Sequence, residues 1–196
     1  IVAHNEINKL LLWYNQNMRI EPPRKTPRDP NISLQLITKY HSNGQKKYEG
    51  YYEEQEPVGD HTAWYENGSK ESETIELSES VDLCTYWYEN GQMKYKGIRT
   101  HYFETGLWTY WFENGNKKSE GCFEGEDGSV GKWRYWHSNG QLACVGIFQG
   151  FRGDGLFTFW NEAGQKIHEN EYRDNELLDV WKNLRVEGCT EELVEK

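Results

Sequence analysis

The sequence predicts an all-β chain built from tandem antiparallel hairpins in an open single-layer or solenoid-like array. Three observations carry that expectation. A glycine recurs at Gly44, Gly68, Gly91, Gly115, Gly140 and Gly164, with spacings of 24, 23, 24, 25 and 24. An aromatic stands four positions before it each time: Tyr40, Trp64, Trp87, Trp111, Trp136 and Trp160. Strand-like runs flank every one of these glycines, and a fixed period of this length marks a repeat architecture.

The turn comes first. Asn precedes five of the six glycines, at Asn43, Asn67, Asn90, Asn114 and Asn139, with Ala163 before the last. Asn-Gly between alternating strands is the strongest short hairpin signal, and a two-residue type I′ turn is expected, with positive φ at both residues. Asn67-Gly68, Asn90-Gly91, Asn114-Gly115 and Asn139-Gly140 are thus read as structural turns. In the fourth unit, Gly106–Phe112 and Lys117–Phe123 would be the partner strands. That turn would pair Phe112 with Lys117, Tyr110 with Ser119, and Trp108 with Gly121. Trp133 would likewise face Gly146, each ring covering the glycine of its own hairpin.

Strand alternation then separates two faces. One carries Trp108, Tyr110 and Phe112, or Trp133, Tyr135 and His137, or Phe157 and Phe159, opposite small residues such as Ser119, Gly121, Cys144 and Gly146. This is the expected packed face. The other carries the recurring Trp64, Trp87, Trp111, Trp136 and Trp160 beside Thr62, Thr85, Thr109, Thr158 and charged residues, and should be half wet. Rings replace aliphatic side chains as the source of apolar area: 15% of residues are aromatic, while mean hydropathy is only −0.97.

Outside the array, residues 1–39 form an N-terminal extension. Its 5–20 stretch reads as a short amphipathic helix, and 21–30 as an extended linker holding four of the five prolines. The array proper is expected over 40–188. Its last part, 173–188, reads as a decayed seventh unit, with Trp181 and Gly188 in register, or alternatively as a helix from the spacing of Leu177, Trp181 and Leu184. Residues 189–196 are a tail.

The formal net charge is −10, and the segment 41–172 alone sums to −10, with 1–40 at +3 and 173–196 at −3. This argues against generic binding to nucleic-acid phosphates and favours a basic partner. No run approaches a membrane span. Cys84, Cys122, Cys144 and Cys189 form no CxxC pair, so no structural metal is expected and the thiols read as small buried residues. His41 and His137 fill a repeat position held elsewhere by Tyr65, Tyr88 and Phe112, so they read as aromatic substitutes rather than ligands. Gly150–Gly155 resembles a phosphate loop, but no helix follows it and a turn is expected. Glu53, Glu54 and Glu56 read as exposed loop charge. No constellation for catalysis and no cofactor motif emerges.

The pattern Gly106-Leu107-Trp108-Thr109-Tyr110-Trp111-Phe112-Glu113-Asn114-Gly115 resembles the bacterial variant MORN repeat found in proteins classed as YwqK-type antitoxins. The resemblance covers about 40–172. It implies an extended array of β-hairpins and a role in protein binding; the compartment, bacterial cytoplasm or cell envelope, is left open by the sequence. The expected function is a protein–protein interaction module, an antitoxin or immunity protein that occludes a basic toxin through an acidic, aromatic-rich surface. The residues assigned to that surface are Trp64, Trp87, Trp111, Trp136, Trp160, Glu53, Glu54 and Glu56. Two alternatives stand beside it: a cell-surface protein binding choline or glycan through aromatic cages, and a scaffold that self-associates through its terminal strand edges.

Overall fold

The computed structural model describes residues 33–150 and 152–172. The 5–20 segment, the 21–30 linker, Cys189, the 173–188 unit and the tail all lie outside the described residues. One sheet of 13 strands runs through them, antiparallel throughout and open. Its units are β1 (Gln35–Tyr40) with β2 (Lys46–Glu53), β3 (Glu56–Trp64) with β4 (Lys70–Ser78), and β5 (Val81–Trp87) with β6 (Met93–Thr100). Then come β7 (Phe103–Trp111) with β8 (Lys117–Glu124), β9 (Ser129–Trp136) with β10 (Leu142–Gln149), and β12 (Gly155–Trp160) with β13 (Lys166–Tyr172). The two-residue β11 (Arg152–Gly153) pairs with β10 beside the main path. Strands neighbour one another in sequence order, so each main-path ladder joins a strand to the arm beside it in the chain. Apart from one 3-10 turn at Gly125–Asp127, the described residues hold no helix.

The hairpin turns differ from the expected type. In the fourth unit Gly115 N–H donates to Phe112 O at 2.9 Å and Phe112 N–H donates to Asn116 O at 2.8 Å. Only Gly115 has positive φ, at 87°; Asn114 does not. The loop is therefore three residues, Glu113-Asn114-Gly115: a type I turn closed by a left-handed glycine that forms a bulge. The same pair of bonds recurs around Gly44, Gly68, Gly91, Gly140 and Gly164. Asn keeps a right-handed conformation because its Oδ1 accepts the N–H two residues on, as Asn114 does from Asn116 at 3.0 Å. The bulge also corrects one pairing. Tyr110 with Ser119 and Trp108 with Gly121 hold, but Lys117 pairs with Trp111 instead of Phe112.

Two-residue turns with positive φ at both centres do occur, between units. They use Glu54-Gln55 (φ 48° and 77°) and His101-Tyr102 (φ 50° and 73°), neither containing glycine.

The packed face holds the larger core, and a smaller buried cluster of Leu77, Val81, Leu83 and Ile98 lies on the opposite face. A continuous series of ring contacts links Tyr86, Tyr95, Trp108, Phe123, Trp133, Phe148, Phe157 and Tyr172, one residue from each strand between β5 and β13 on the main path. Centroid distances run from 4.4 to 6.4 Å, and most pairs beyond the first are edge-on or tilted, the arrangement that aromatic quadrupoles favour. Phe157 is fully buried, worth about 1.5–3 kcal/mol for such a side chain. Ser119 and Cys144 are buried with it, as the small residues of that face should be.

The rings do not cover the glycines of their own hairpins. A side-chain carbon at Gly97 would overlap the indole of Trp108, one at Gly121 the indole of Trp133, and one at Gly146 the ring of Phe157. Each ring thus lies over the glycine of the preceding unit and stacks one repeat upon another. Trp108 Nε1–H reaches back the same way, donating to Ile98 O at 2.9 Å, and Trp133 Nε1–H donates to Cys122 O at 3.2 Å.

Candidate interaction surfaces

The half-wet face is organised in rows. The middle row reads across the sheet as Thr62, Glu73, Thr85, Lys96, Thr109 and Glu120, each in register with the next. Trp64, Trp87, Trp111, Trp136 and Trp160 form a second row nearer the Asn-Gly tips, all half-buried. They fall on every second strand, which sets them about 9–10 Å apart. The bulge turns a lysine onto this row: Lys46 lies 5.2 Å from the Trp64 ring, Lys70 5.7 Å from Trp87, and Lys117 5.4 Å from Trp136. The same lysines pair with a glutamate three residues on, as Lys46 with Glu49 at 2.8 Å and Lys117 with Glu120 at 2.6 Å. This face is therefore largely self-neutralised. Glu49 is held below the ordinary carboxylate range chiefly by its hydrogen bond from Lys46, and Glu169 likewise by Lys166.

The Asn side chains tie the tips of neighbouring units together. Nδ2 of Asn43, Asn67, Asn90, Asn114 and Asn139 donates to the carbonyl of Glu66, Glu89, Glu113, Ser138 and Glu162 at 2.7–3.0 Å. A second rung lies beside it. Tyr65 and Tyr88 donate through their hydroxyls to Trp87 O and Trp111 O, at 2.8 and 2.9 Å. His41 and His137 do the same through Nε2, to Trp64 O at 2.7 Å and Trp160 O at 2.9 Å. Carbonyls only accept, so both imidazoles carry a proton on Nε2. The two histidines thus stand in for tyrosine.

Glu66, Glu89, Glu113 and Glu162 stand at these tips, but the acidic residues assigned with the tryptophans, Glu53, Glu54 and Glu56, lie elsewhere. Glu56 and Trp64 sit at opposite ends of β3, about 26 Å apart along the strand. Glu54 and Glu56 occupy the inter-unit turn and are exposed, whereas Glu53 is buried, at 9% exposure, which corrects its reading as loop charge. Sequence reasoning thus assigned to one surface two groups that the strand length separates. Along the same turn edge run Glu79, Glu104, Glu124, Glu126, Asp127 and Asp154. At its middle stands Tyr102, 88% exposed in its strained turn, with Arg99 5.9 Å from its ring. That exposed aromatic was missed; nothing in the repeat pattern marks an inter-unit turn residue. A crevice of about 540 Å³ opens between two of these turns, lined by Glu126, Asp127, Gln149, Arg152 and Asp154. The Gly150–Gly155 loop is part of it.

Among the described residues, no cluster of three or more His, Cys, Asp or Glu could hold a metal ion, and no helix is long and apolar enough to cross a membrane. Cys84 and Cys144 are buried and Cys122 is exposed; burial pushes the Cys84 thiol up.

Three consecutive stretches, 83–101, 104–124 and 129–149, match the MORN repeat variant family. MORN repeats generally serve as protein- or membrane-binding modules, in keeping with a non-catalytic binding role. No curated protein matches the chain. Among solved structures, it is similar to the crystal structure of TarM, at 9% identity and a TM-score of 0.33, over 71% of this chain and 23% of that one. It is also similar to an S. aureus TarM mutant in complex with Fondaparinux, alpha-GlcNAc-glycerol and UDP, at 9% identity and a TM-score of 0.34, over 74% and 23%. The chain thus spans about a quarter of the length of these structures, and likeness at this level says nothing of activity.

Proposed function

We propose that the chain is a protein-binding module of the antitoxin or immunity kind, which docks a basic protein along its acidic inter-unit turn edge. The observation that carries this reading is the separation of charge. Lys46, Lys70, Lys117 and Lys166 on the tryptophan-row face are matched by glutamates three residues away, while the turn edge carries carboxylates on either side of the exposed Tyr102. Charge complementarity of this kind raises association rates and selects partners, and a central aromatic is a common hot spot. The half-buried tryptophan row is the second contact surface in this reading.

The choline alternative draws less support. A cage needs several rings around one cation, whereas these tryptophans are spaced two strands apart and three of them already have a lysine over the ring.

The test is capture from the native source with the full chain as bait, comparing wild type with Glu54→Lys/Glu56→Lys and with Tyr102→Ala. A basic protein retained by wild type and released by both variants in low salt supports the reading. Retention of no basic protein, or equal retention by all three baits, overturns it.

A further inference from the structure

The repeat's lysine–glutamate pair is broken in two units on the tryptophan-row face, and in one of them the break reverses a charge. In four units a lysine two residues past the turn glycine pairs with a glutamate three residues later: Lys46 with Glu49, Lys70 with Glu73, Lys117 with Glu120, and Lys166 with Glu169. In the fifth unit both become apolar, Leu142 and Val145. In the third the lysine becomes Met93 and the glutamate becomes Lys96. The charge at the central row is therefore reversed, and the neighbour that would repel it is removed.

The surroundings of Lys96 still fit the carboxylate it replaces. It is in register with Thr85 on one side and Thr109 on the other. In the first and sixth units the equivalent glutamate accepts from such a threonine: Thr38 Oγ1 donates to Glu49 at 3.4 Å, and Thr158 Oγ1 to Glu169 at 2.8 Å. An ammonium cannot accept, so Lys96 sets a further donor in register between two threonines where other units set an acceptor. No carboxylate of the described residues pairs with Lys96 within 4 Å; Glu73 acts on it only as a field from two strands away. Desolvation outweighs that field and lowers its proton affinity, as expected of a half-buried cation lacking a counter-charge. Met93 holds the repeat position from which lysines elsewhere reach over the next tryptophan, so here Trp111 has an apolar neighbour in place of a cation.

We propose that Lys96, in register between Thr85 and Thr109 and one row from Met93 and Trp111, is the centre of a carboxylate-binding site. It takes an acidic side chain of a partner protein in the place that an internal glutamate fills in other units. The site is a mid-strand feature, apart from the acidic turn edge, and does not depend on the basic-partner reading.

The experiment is a set of 1H–15N titrations of the full chain with sodium acetate and, separately, with the peptide acetyl-Leu-Glu-Leu-amide, each against sodium chloride at equal ionic strength. Saturable shifts centred on Thr85, Lys96, Thr109 and the Trp111 indole support the proposal. If the peptide produces them, the source is a partner side chain; if acetate alone does, it is a free small carboxylate. Lys96→Glu, which restores the residue used in four other units, should weaken binding at least tenfold, and Lys96→Gln should do so without adding a negative charge. Shifts that chloride reproduces, or that persist in both variants, overturn it.

Discussion

The indole of Trp108 lies over Gly97, one strand back and in the preceding repeat, and the space it fills is the space a side chain at Gly97 would need. Gly97→Ala must displace a ring that is 3% exposed and hydrogen-bonded to Ile98 O. Overpacking of this kind costs about 1–3 kcal/mol. The boundary between the second and third units shows the compensated form: Thr74 occupies the glycine position and Cys84 the ring position, and the two are in register. Gly97→Thr alone should be more damaging than Gly97→Thr with Trp108→Cys. Urea denaturation of the single and double variants measures the coupling, and a fully stable Gly97→Ala would refute the stacking role.

The asparagine ladder separates into two contributions. Asn114→Asp keeps the oxygen that accepts from Asn116 N–H and loses the Nδ2 donor to Ser138 O. Asn114→Ala loses both. Each exposed bond contributes roughly 0.5–1 kcal/mol, so the expected order of thermal stability is wild type, then Asp, then Ala. Equal melting of the Asp variant and wild type would show that the link between units contributes nothing.

Tyr102 is held at φ 73° and is almost wholly exposed. Left-handed backbone costs a side-chain-bearing residue about 1–2 kcal/mol, part of which glycine returns as chain entropy. Tyr102→Gly should therefore raise stability by roughly 0.5–1 kcal/mol while weakening capture of a partner. A variant both less stable and equally competent in binding would contradict the role given to that turn.

Alkaline pH should loosen the ring series. Burial pushes the Tyr95 phenol up to about 12, and burial raises Tyr86 as well. A raised phenol binds its proton more tightly in the folded chain. Its contribution is complete below the unfolded value near 10 and is lost as pH rises from there towards 12. Phenolate absorbance followed beside circular dichroism should show these rings ionising late and together with loss of β-structure. Early ionisation with the fold intact would contradict their burial.

Much of this was legible in the sequence because the period repeats each environment. Six turn glycines and the aromatics before them gave the hairpins, and the shared position of His41, Tyr65, Tyr88 and His137 gave the exchange of imidazole for phenol. The turn type was not legible, since Asn-Gly suits both a two-residue and a three-residue loop. What decides between them is Asn Oδ1 bonding to the backbone. The glycine that each ring covers was also hidden, because Trp108 stands opposite Gly121 in register while its indole leans towards Gly97. The exchange of Thr74 with Cys84 across a unit boundary is the trace it leaves. For the candidate surfaces, composition located the acidity in the array but not on which edge, because strand length alone separates Glu56 from Trp64.

The asparagine ladder has a direction. Each Asn from Asn43 to Asn139 reaches forward to the unit made after it, and each later ring from Trp108 to Phe157 reaches back over a glycine already made. During synthesis from the N-terminus, every emerging hairpin meets a completed template and closes it in turn. The sixth unit departs from this. Ala163 has no donor to extend, and Asn161 bonds within its own turn, to Gln165. Among the described residues, the forward link made by five units gives way in the sixth to a bond within its own turn.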